Sequence, residues 1–202
     1  MEFEPLSLKG AYIITPTFHT DARGAFGRTF CRKLFAEQGL EGDFVQINQS
    51  QNRLKGTLRG MHFQHPPFAE IKYIRCLKGA VLDVIIDVRQ GSTTFMQHVA
   101  VELSAHNQKG IYVPQGFAHG FITLEDDTEL VYHHTQYYAP GHEGGLRYND
   151  PALGIAWPLV PTVMSAKDPH YPLISETNFN GFSFSNNRQS VAMPSLPGAR
   201  NP

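Results

Sequence analysis

Short apolar runs separated by turn residues dominate the pattern of this chain. In residues 81–88 (VLDVIIDV) the even-numbered positions from Leu82 to Val88 form one apolar face, and the other face is mixed. Many short strands between Gly, Pro and Asn/Asp breaks predict an all-β fold, built as a sandwich or barrel. Further candidate strands are residues 10–16, 44–51, 56–64, 70–79, 95–104, 109–114, 118–124 and 128–138.

Helical patterns are few and short. Residues 30–40 place apolar side chains at Phe30, Leu34 and Phe35 and stop near Gly39, which predicts one short helix. A second helical turn is expected at residues 149–153, where a proline could open it. We therefore expect β-structure with a few short helices.

The composition changes near the end of the chain. Residues 176–202 contain only three charged residues and many Asn, Ser and Pro, which predicts a polar, weakly ordered tail, although its phenylalanines could dock. Residues 1–175 are then a single domain, large enough to bury a core.

The charge and the cysteine content argue against several classes of protein. The chain has 202 residues, 17% of them charged, and a net charge of -1. The overall charge therefore does not favour binding to nucleic acid or to an acidic membrane surface. Two cysteines, Cys31 and Cys76, cannot build a disulfide framework. The start shows no signal peptide and no apolar run could span a bilayer, so we expect a cytoplasmic protein.

The densest polar cluster is residues 57–65 (TLRGMHFQH). On a regular strand His62 shares a face with Gly60 and Gln64, whereas Arg59 lies on the opposite face. A lone strand histidine is more often a hydrogen-bonded structural residue, so this spacing alone does not define a site.

A second cluster has the spacing P-x-G-x-x-H at Pro114, Gly116 and His119, which resembles the second motif of the cupins, small double-sheet jelly rolls. In metal-binding cupins this histidine is a ligand. The matching metal set would be His62, His65, Glu70 and His119. His62 and His65 are three residues apart and face opposite sides of a regular strand, which disfavours chelation. A metal-dependent cupin remains an alternative.

Motifs in order along residues 8–173 resemble the dTDP-4-dehydrorhamnose 3,5-epimerase family, RmlC-like cupins of deoxysugar biosynthesis. The resemblance implies a double-sheet jelly roll and a homodimer, which would also protect edge strands. The matching segments include D-x-R-G-x-F at 21–26, LRGMHFQ at 58–64, KYIRC at 72–76, VPQGFAHG at 113–120, LVY at 130–132 and SAKD at 165–168.

The resemblance implies epimerisation at C3 and C5 of a nucleotide-linked 4-keto-6-deoxyhexose without metal or cofactor. A C4 carbonyl acidifies the adjacent C–H bonds, so the site needs a base, an acid on the opposite face and positive charge near the enolate oxygen. By the resemblance, His62 held by Asp168 is the base, Tyr132 is the acid and Lys72 lies near the C4 oxygen.

The resemblance also implies substrate-binding residues. Guanidinium groups suit pyrophosphate oxygens. The chain departs from the family at Arg28, where several members carry Glu, and at His133, where many carry Lys. A single-centre epimerase or a ketoisomerase therefore stays open. A non-catalytic sugar-binding cupin is a further alternative, but the full set of base, acid and oxyanion groups argues against it. The expected substrate-binding residues are Arg23, Phe26, Arg28, Gln46, Asn48, Arg59, His119 and Tyr138.

Overall fold

The structure is a computed structural model that describes residues 1–183. Most of its regular elements are strands, and the strand pairs within both main sheets are antiparallel. This confirms the predicted all-β jelly roll. The larger sheet runs in the order β1 (Glu2–Pro5), β2 (Tyr12–Thr15), β10 (Gly110–Val113), β7 (Lys72–Lys78), β12 (Thr128–His134), β5 (Gln46–Asn52). The smaller sheet runs in the order β13 (Glu143–Gly145), β6 (Leu58–Gln64), β11 (Phe117–Thr123), β8 (Ala80–Asp87), β9 (His98–Ser104).

A separate hairpin, β3 (Phe18–Asp21) and β4 (Gly24–Gly27), follows β2. The predicted short helix is α1 (Arg32–Glu37), whose buried Phe35 packs on Tyr73 of the larger sheet. This burial covers part of the outer face of that sheet.

The core lies between the sheets, and β8 is buried on both faces. Val81 and Ile85, from its mixed face, join Ile74 and Phe121 in the cluster between the sheets. The apolar face, including Val84, packs instead against a second cluster formed with the C-terminal segment. The mixed face of β8 thus points to the interior between the sheets and carries the buried carboxylate of Asp83 there.

Residues 149–153 form a single hydrogen-bonded turn, as expected, in which the backbone N–H groups of Leu153 (3.0 Å) and Gly154 (3.4 Å) donate to the carbonyl of Asp150. The buried carboxylate of Asp150 accepts hydrogen bonds from the backbone N–H groups of Ala152 (2.9 Å) and Ile174 (2.6 Å). These bonds tie the turn to the segment that follows it. That segment contains short 3₁₀ turns at Asp168–His170 and Ile174–Glu176.

The first part of the predicted tail packs on the domain. The rings of Phe179 and Phe182 lie 6.3 and 4.9 Å from the ring of Phe63. Phe182 also exchanges backbone hydrogen bonds with Val88 and Gln90. The rest of the predicted tail, 184–202, lies outside the described residues. Within residues 1–183, none of the helices has the length and apolar character needed to cross a bilayer.

Candidate active site

A cavity of about 760 Å³ opens between residues of both sheets. Strands β5, β7 and β12 of the larger sheet, strands β6 and β11 of the smaller sheet and residues 163–168 contribute side chains to it. The structure therefore brings nine of the twelve expected site residues into one place. They are His62, Tyr132, Asp168, Lys72, Gln46, Asn48, Arg59, His119 and Tyr138.

The structure corrects the register predicted for β6. Regular alternation separated Arg59 from His62, but both line the cavity. His62 pairs with His119 and Arg59 pairs with Phe121, so three steps along β6 match two steps along β11. This bulge turns Arg59 to the face of His62.

Gly60 lies within the bulge and has a φ of 139°, in the region that favours glycine. A Cβ atom at this position would lie 2.5 Å from the Cα atom of Gly120 on β11. The two glycines let the backbones approach closely beside His62.

His62 and Asp168 form the hydrogen-bonded pair at one wall of the cavity. The Nε2 atom of His62 lies 2.7 Å from Oδ1 of Asp168. Asp168 is 1% exposed, whereas the His62 side chain is 36% exposed and faces the cavity. Burial raises the pKa of Asp168, but the hydrogen bond and charge of His62 and a bond to Ser165 outweigh it and lower that pKa overall. An ionised carboxylate thus faces the imidazole.

Tyr132 reaches the same cavity from β12 of the opposite sheet. Its ring meets the ring of His119 edge-on at 6.0 Å. Burial, and after it the charge of Asp83, raise the pKa of Tyr132 well above its ordinary value, although Arg59 and Ser50 oppose this. The phenol is therefore protonated at neutral pH and able to donate a hydrogen bond, and it gives up its proton only to a strongly basic group.

His119 is held by an acid that sequence reasoning did not select. Its Nε2 atom lies 2.8 Å from Oδ2 of Asp83, which is fully buried on β8. Burial raises the pKa of Asp83, opposed by His119. Asp83 and Asp87 are the two carboxylates of the otherwise apolar strand β8, which is the available sequence signal, but this pattern does not show which face of the strand is inward.

Lys72 enters the cavity beside a second acid. Its Nζ atom lies 3.0 Å from Oε1 of Glu70, and both side chains are about nine-tenths buried. Burial raises the pKa of Glu70, but the charges of Lys72 and His134 outweigh it and lower that pKa to about 2. The sequence points to Glu70 only through the metal-dependent alternative, and no motif in it points to His134.

Polar groups line another part of the cavity. Gln46 donates a hydrogen bond to Asn48 (3.1 Å) and accepts one from the backbone N–H of Tyr138 (3.1 Å). The Tyr138 hydroxyl donates a short hydrogen bond to Glu143. Amide, hydroxyl and carboxylate groups are thus available to contact sugar hydroxyls or a base.

Arg23, Phe26 and Arg28 do not line this cavity in their own chain. Arg23 and Phe26 belong to the β3–β4 hairpin, where Arg23 forms an ion pair with Asp21 at 2.5 Å. Phe26 is 82% exposed, and Arg28 follows directly after the hairpin and is also exposed.

The four residues of the metal alternative are not together. His62, Glu70 and His119 line the cavity, but His65 lies in a separate pocket with Phe63. Within the described part of the chain, no group of three or more His, Cys, Asp or Glu side chains is arranged to hold a metal ion.

Comparison with known proteins identifies the family. The sequence profile of the dTDP-4-dehydrorhamnose 3,5-epimerase family matches residues 5–176. The chain belongs to the dTDP-4-dehydrorhamnose 3,5-epimerase family. A curated member of this epimerase family from Sinorhizobium fredii is 44% identical over 177 residues, covering 87% of this chain and 91% of the relative.

Two solved structures show the same fold. The 3,5-epimerase RmlC from Legionella pneumophila, in complex with dTDP-4-keto-L-rhamnose, has a TM-score of 0.82 and 38% identity, covering 86% of this chain and 93% of that chain. ChmJ, a 3'-monoepimerase from Streptomyces bikiniensis in complex with dTDP-quinovose, has a TM-score of 0.80 and 36% identity, covering 85% of this chain and 87% of that chain. The structural relatives of this chain therefore include one enzyme named a 3,5-epimerase and one named a 3'-monoepimerase.

Proposed function

We propose that this protein epimerises C3 and C5 of a dTDP-linked 4-keto-6-deoxyhexose. The observation that carries the proposal is the meeting of His62–Asp168, Tyr132 and Lys72 in one cavity. Membership of an epimerase family supports the substrate class.

In the proposed reaction His62 removes the proton on C3 or C5. The electron pair of the C–H bond forms a C=C bond, and the carbonyl electrons move to the C4 oxygen as an enolate. Asp168 stabilises the imidazolium, as an anion beside a cation. The ammonium of Lys72 stabilises the enolate oxygen.

Tyr132 completes the inversion. Its hydroxyl donates a proton to the opposite face of the same carbon while the C4 carbonyl re-forms. The phenolate then recovers a proton from water, and His62 releases its proton to water. No external oxidant or reductant is required, because the substrate and product differ only in configuration.

Arg59 is the proposed contact for the pyrophosphate. Its guanidinium lines the cavity and its Nε donates to Asn52 at 2.8 Å, which orients the group and leaves its terminal nitrogens to bind phosphate oxygens. Gln46, Asn48, His119 and Tyr138 are the proposed contacts for the rest of the substrate.

The protein is proposed to act as a homodimer in which the hairpin serves the second subunit. Arg23, Phe26 and Arg28 lie away from the cavity of their own chain, and the ring of Phe26 is largely exposed. A second copy would cover this ring and bring its charged neighbours to a substrate. A cytoplasmic location is also proposed, in keeping with the two free cysteines.

Turnover of dTDP-4-keto-6-deoxyglucose in heavy water, read at each carbon by NMR, tests the reaction. We expect deuterium at C3 and C5 of the product.

The alternatives give different results. Incorporation at one carbon only would favour a single-centre epimerase, as in the monoepimerase relative. Movement of the carbonyl to C3 would favour a ketoisomerase. No incorporation from several nucleotide sugars would refute the proposal, and stoichiometric metal with chelator-sensitive activity would favour the metal-dependent alternative.

A further inference from the structure

Glu70 is a buried acid in the cavity to which the proposed reaction assigns no step. Its side chain is 9% exposed, and its Oε1 atom lies 3.0 Å from Nζ of Lys72. Glu70 precedes β7, and Lys72 is the first residue of that strand. The acid and the lysine are therefore neighbours both along the chain and inside the cavity.

The carboxylate is itself held from other sides. Nε2 of Gln64 donates a 2.6 Å hydrogen bond to Oε2 of Glu70. Gln64 is anchored in turn, because its side chain accepts from the backbone N–H of Ala139 (2.7 Å) and donates to the carbonyl of Phe68 (3.0 Å). Nδ1 of His134 lies 3.6 Å from the same carboxylate oxygen, which is ion-pair range but too long for a hydrogen bond.

A lysine side chain is flexible, and it needs a fixed partner to hold its charge at one point. Enolate stabilisation depends on charge that is already in place when the oxyanion forms. Glu70 supplies such a partner, because its own position is set by Gln64, which backbone groups of Phe68 and Ala139 hold in turn.

We propose that Glu70 is a positioning residue for Lys72, a role that rests on the proposed function of Lys72 at the C4 oxygen. Glu70 fixes one hydrogen-bonding direction of the ammonium and leaves the other two for the substrate. It contacts no reacting atom itself. What matters for the reaction is the position of its oxygen atoms, which depends on the length of the side chain.

Two substitutions separate position from charge. Glu70→Gln keeps the side-chain length and an oxygen able to accept from Lys72, although its NH2 group takes the place of the oxygen that accepts from Gln64. Glu70→Asp keeps the charge but withdraws the carboxylate by one methylene. We expect kcat to fall about tenfold or more in Glu70→Asp, with KM within about twofold of the wild type. Glu70→Gln should retain kcat within about threefold. Glu102→Gln, an exposed substitution on β9, is the matched control and should leave both constants unchanged.

A double-mutant cycle tests whether Glu70 acts through Lys72. In a Lys72→Met background, Glu70→Asp should cause no further loss of kcat, since the group it positions is absent. Thermal unfolding of every variant, followed by circular dichroism, separates loss of fold from loss of activity.

The contrary outcomes are distinct. Full activity of Glu70→Asp, or loss of activity confined to Glu70→Gln, would overturn the positioning role, as would an undiminished Glu70→Asp effect in the Lys72→Met background. Wild-type kcat in Lys72→Met would remove the basis of the inference while leaving epimerisation intact. Failure of the wild-type protein to exchange deuterium would instead refute the proposed function.

Discussion

The Nε2 atom of His62 lies 2.7 Å from Oδ1 of Asp168, although the two residues are 106 positions apart in the chain. The 3₁₀ turn that carries Asp168 packs against β6 and buries the carboxylate almost completely. Since one ring nitrogen is bound to this acid, the other nitrogen, which has no hydrogen-bond partner among residues 1–183, is left to accept a proton.

Substitution Asp168→Asn keeps the size of the side chain and removes the charge that stabilises the imidazolium. We expect kcat to fall by about 10²-fold or more, with substrate binding largely retained. A time course of deuterium incorporation, measured by NMR on quenched samples, checks this expectation. Asp43→Asn, which removes an exposed carboxylate paired with Arg32, is the control and should behave as the wild type. Wild-type turnover in Asp168→Asn would mean that His62 works without this partner.

Substitution Tyr132→Phe should separate exchange from inversion. His62 can still remove a proton and return a deuteron to the same face, but no donor remains on the opposite face. We expect the inverted product to form about 10²-fold more slowly, while deuterium still enters the unchanged substrate. NMR distinguishes the inverted product from the substrate, since the two are diastereomers, and comparison with the exchange measurement gives the ratio of inversion to exchange. If inversion keeps pace with exchange in this variant, another group is the acid.

The hairpin proposal predicts complementation between two inactive proteins. One carries His62→Asn and an intact hairpin, and the other carries Arg23→Ala with Phe26→Ala and an intact His62. In a mixed dimer one site receives both intact parts, so co-expression should restore a substantial fraction of activity, up to about half per mixed dimer. Each variant expressed alone is the control. Activity of the mixture equal to the sum of the separate proteins, or a clean monomer by light scattering, would contradict the arrangement.

Acid should destabilise the protein partly through Glu70. Its folded-state pKa, about 2, lies below the ordinary value of 4.5. Between these values the unfolded chain binds more protons, so the contribution of Glu70 is fully present above about pH 4.5 and is lost as the pH falls towards 2. Urea unfolding at about pH 6 and about pH 3 should show that Glu70→Gln loses about 2 kcal/mol less than the wild type over this interval.

The control for this measurement is again Glu102→Gln, which should follow the wild-type curve at both pH values. An identical acid loss in Glu70→Gln and wild type would mean that Glu70 is not stabilised as an anion in the folded protein.

Local patterns in the sequence were sufficient for most strands of the two main sheets, whereas the short strands β1, β3, β4 and β13 were not predicted. Alternation and turn residues predicted β8 and its neighbours, and the apolar spacing around Phe35 predicted α1. The family motifs placed His62, Lys72 and Tyr132 on separate strands. These predictions succeed because side-chain alternation and turn chemistry depend on residues close together in the chain.

The sequence by itself thus determined the all-β class and the residue types available for the chemistry. Only the tertiary structure decided that Arg59 shares a face with His62, because the bulge exists only in the pairing of β6 with β11. It also decided that Asp83 points inward, since the C-terminal segment covers the apolar face of β8, and that Glu70 meets Lys72 rather than solvent. Burial and ion pairing are set by residues distant in the chain, so no local pattern encodes them.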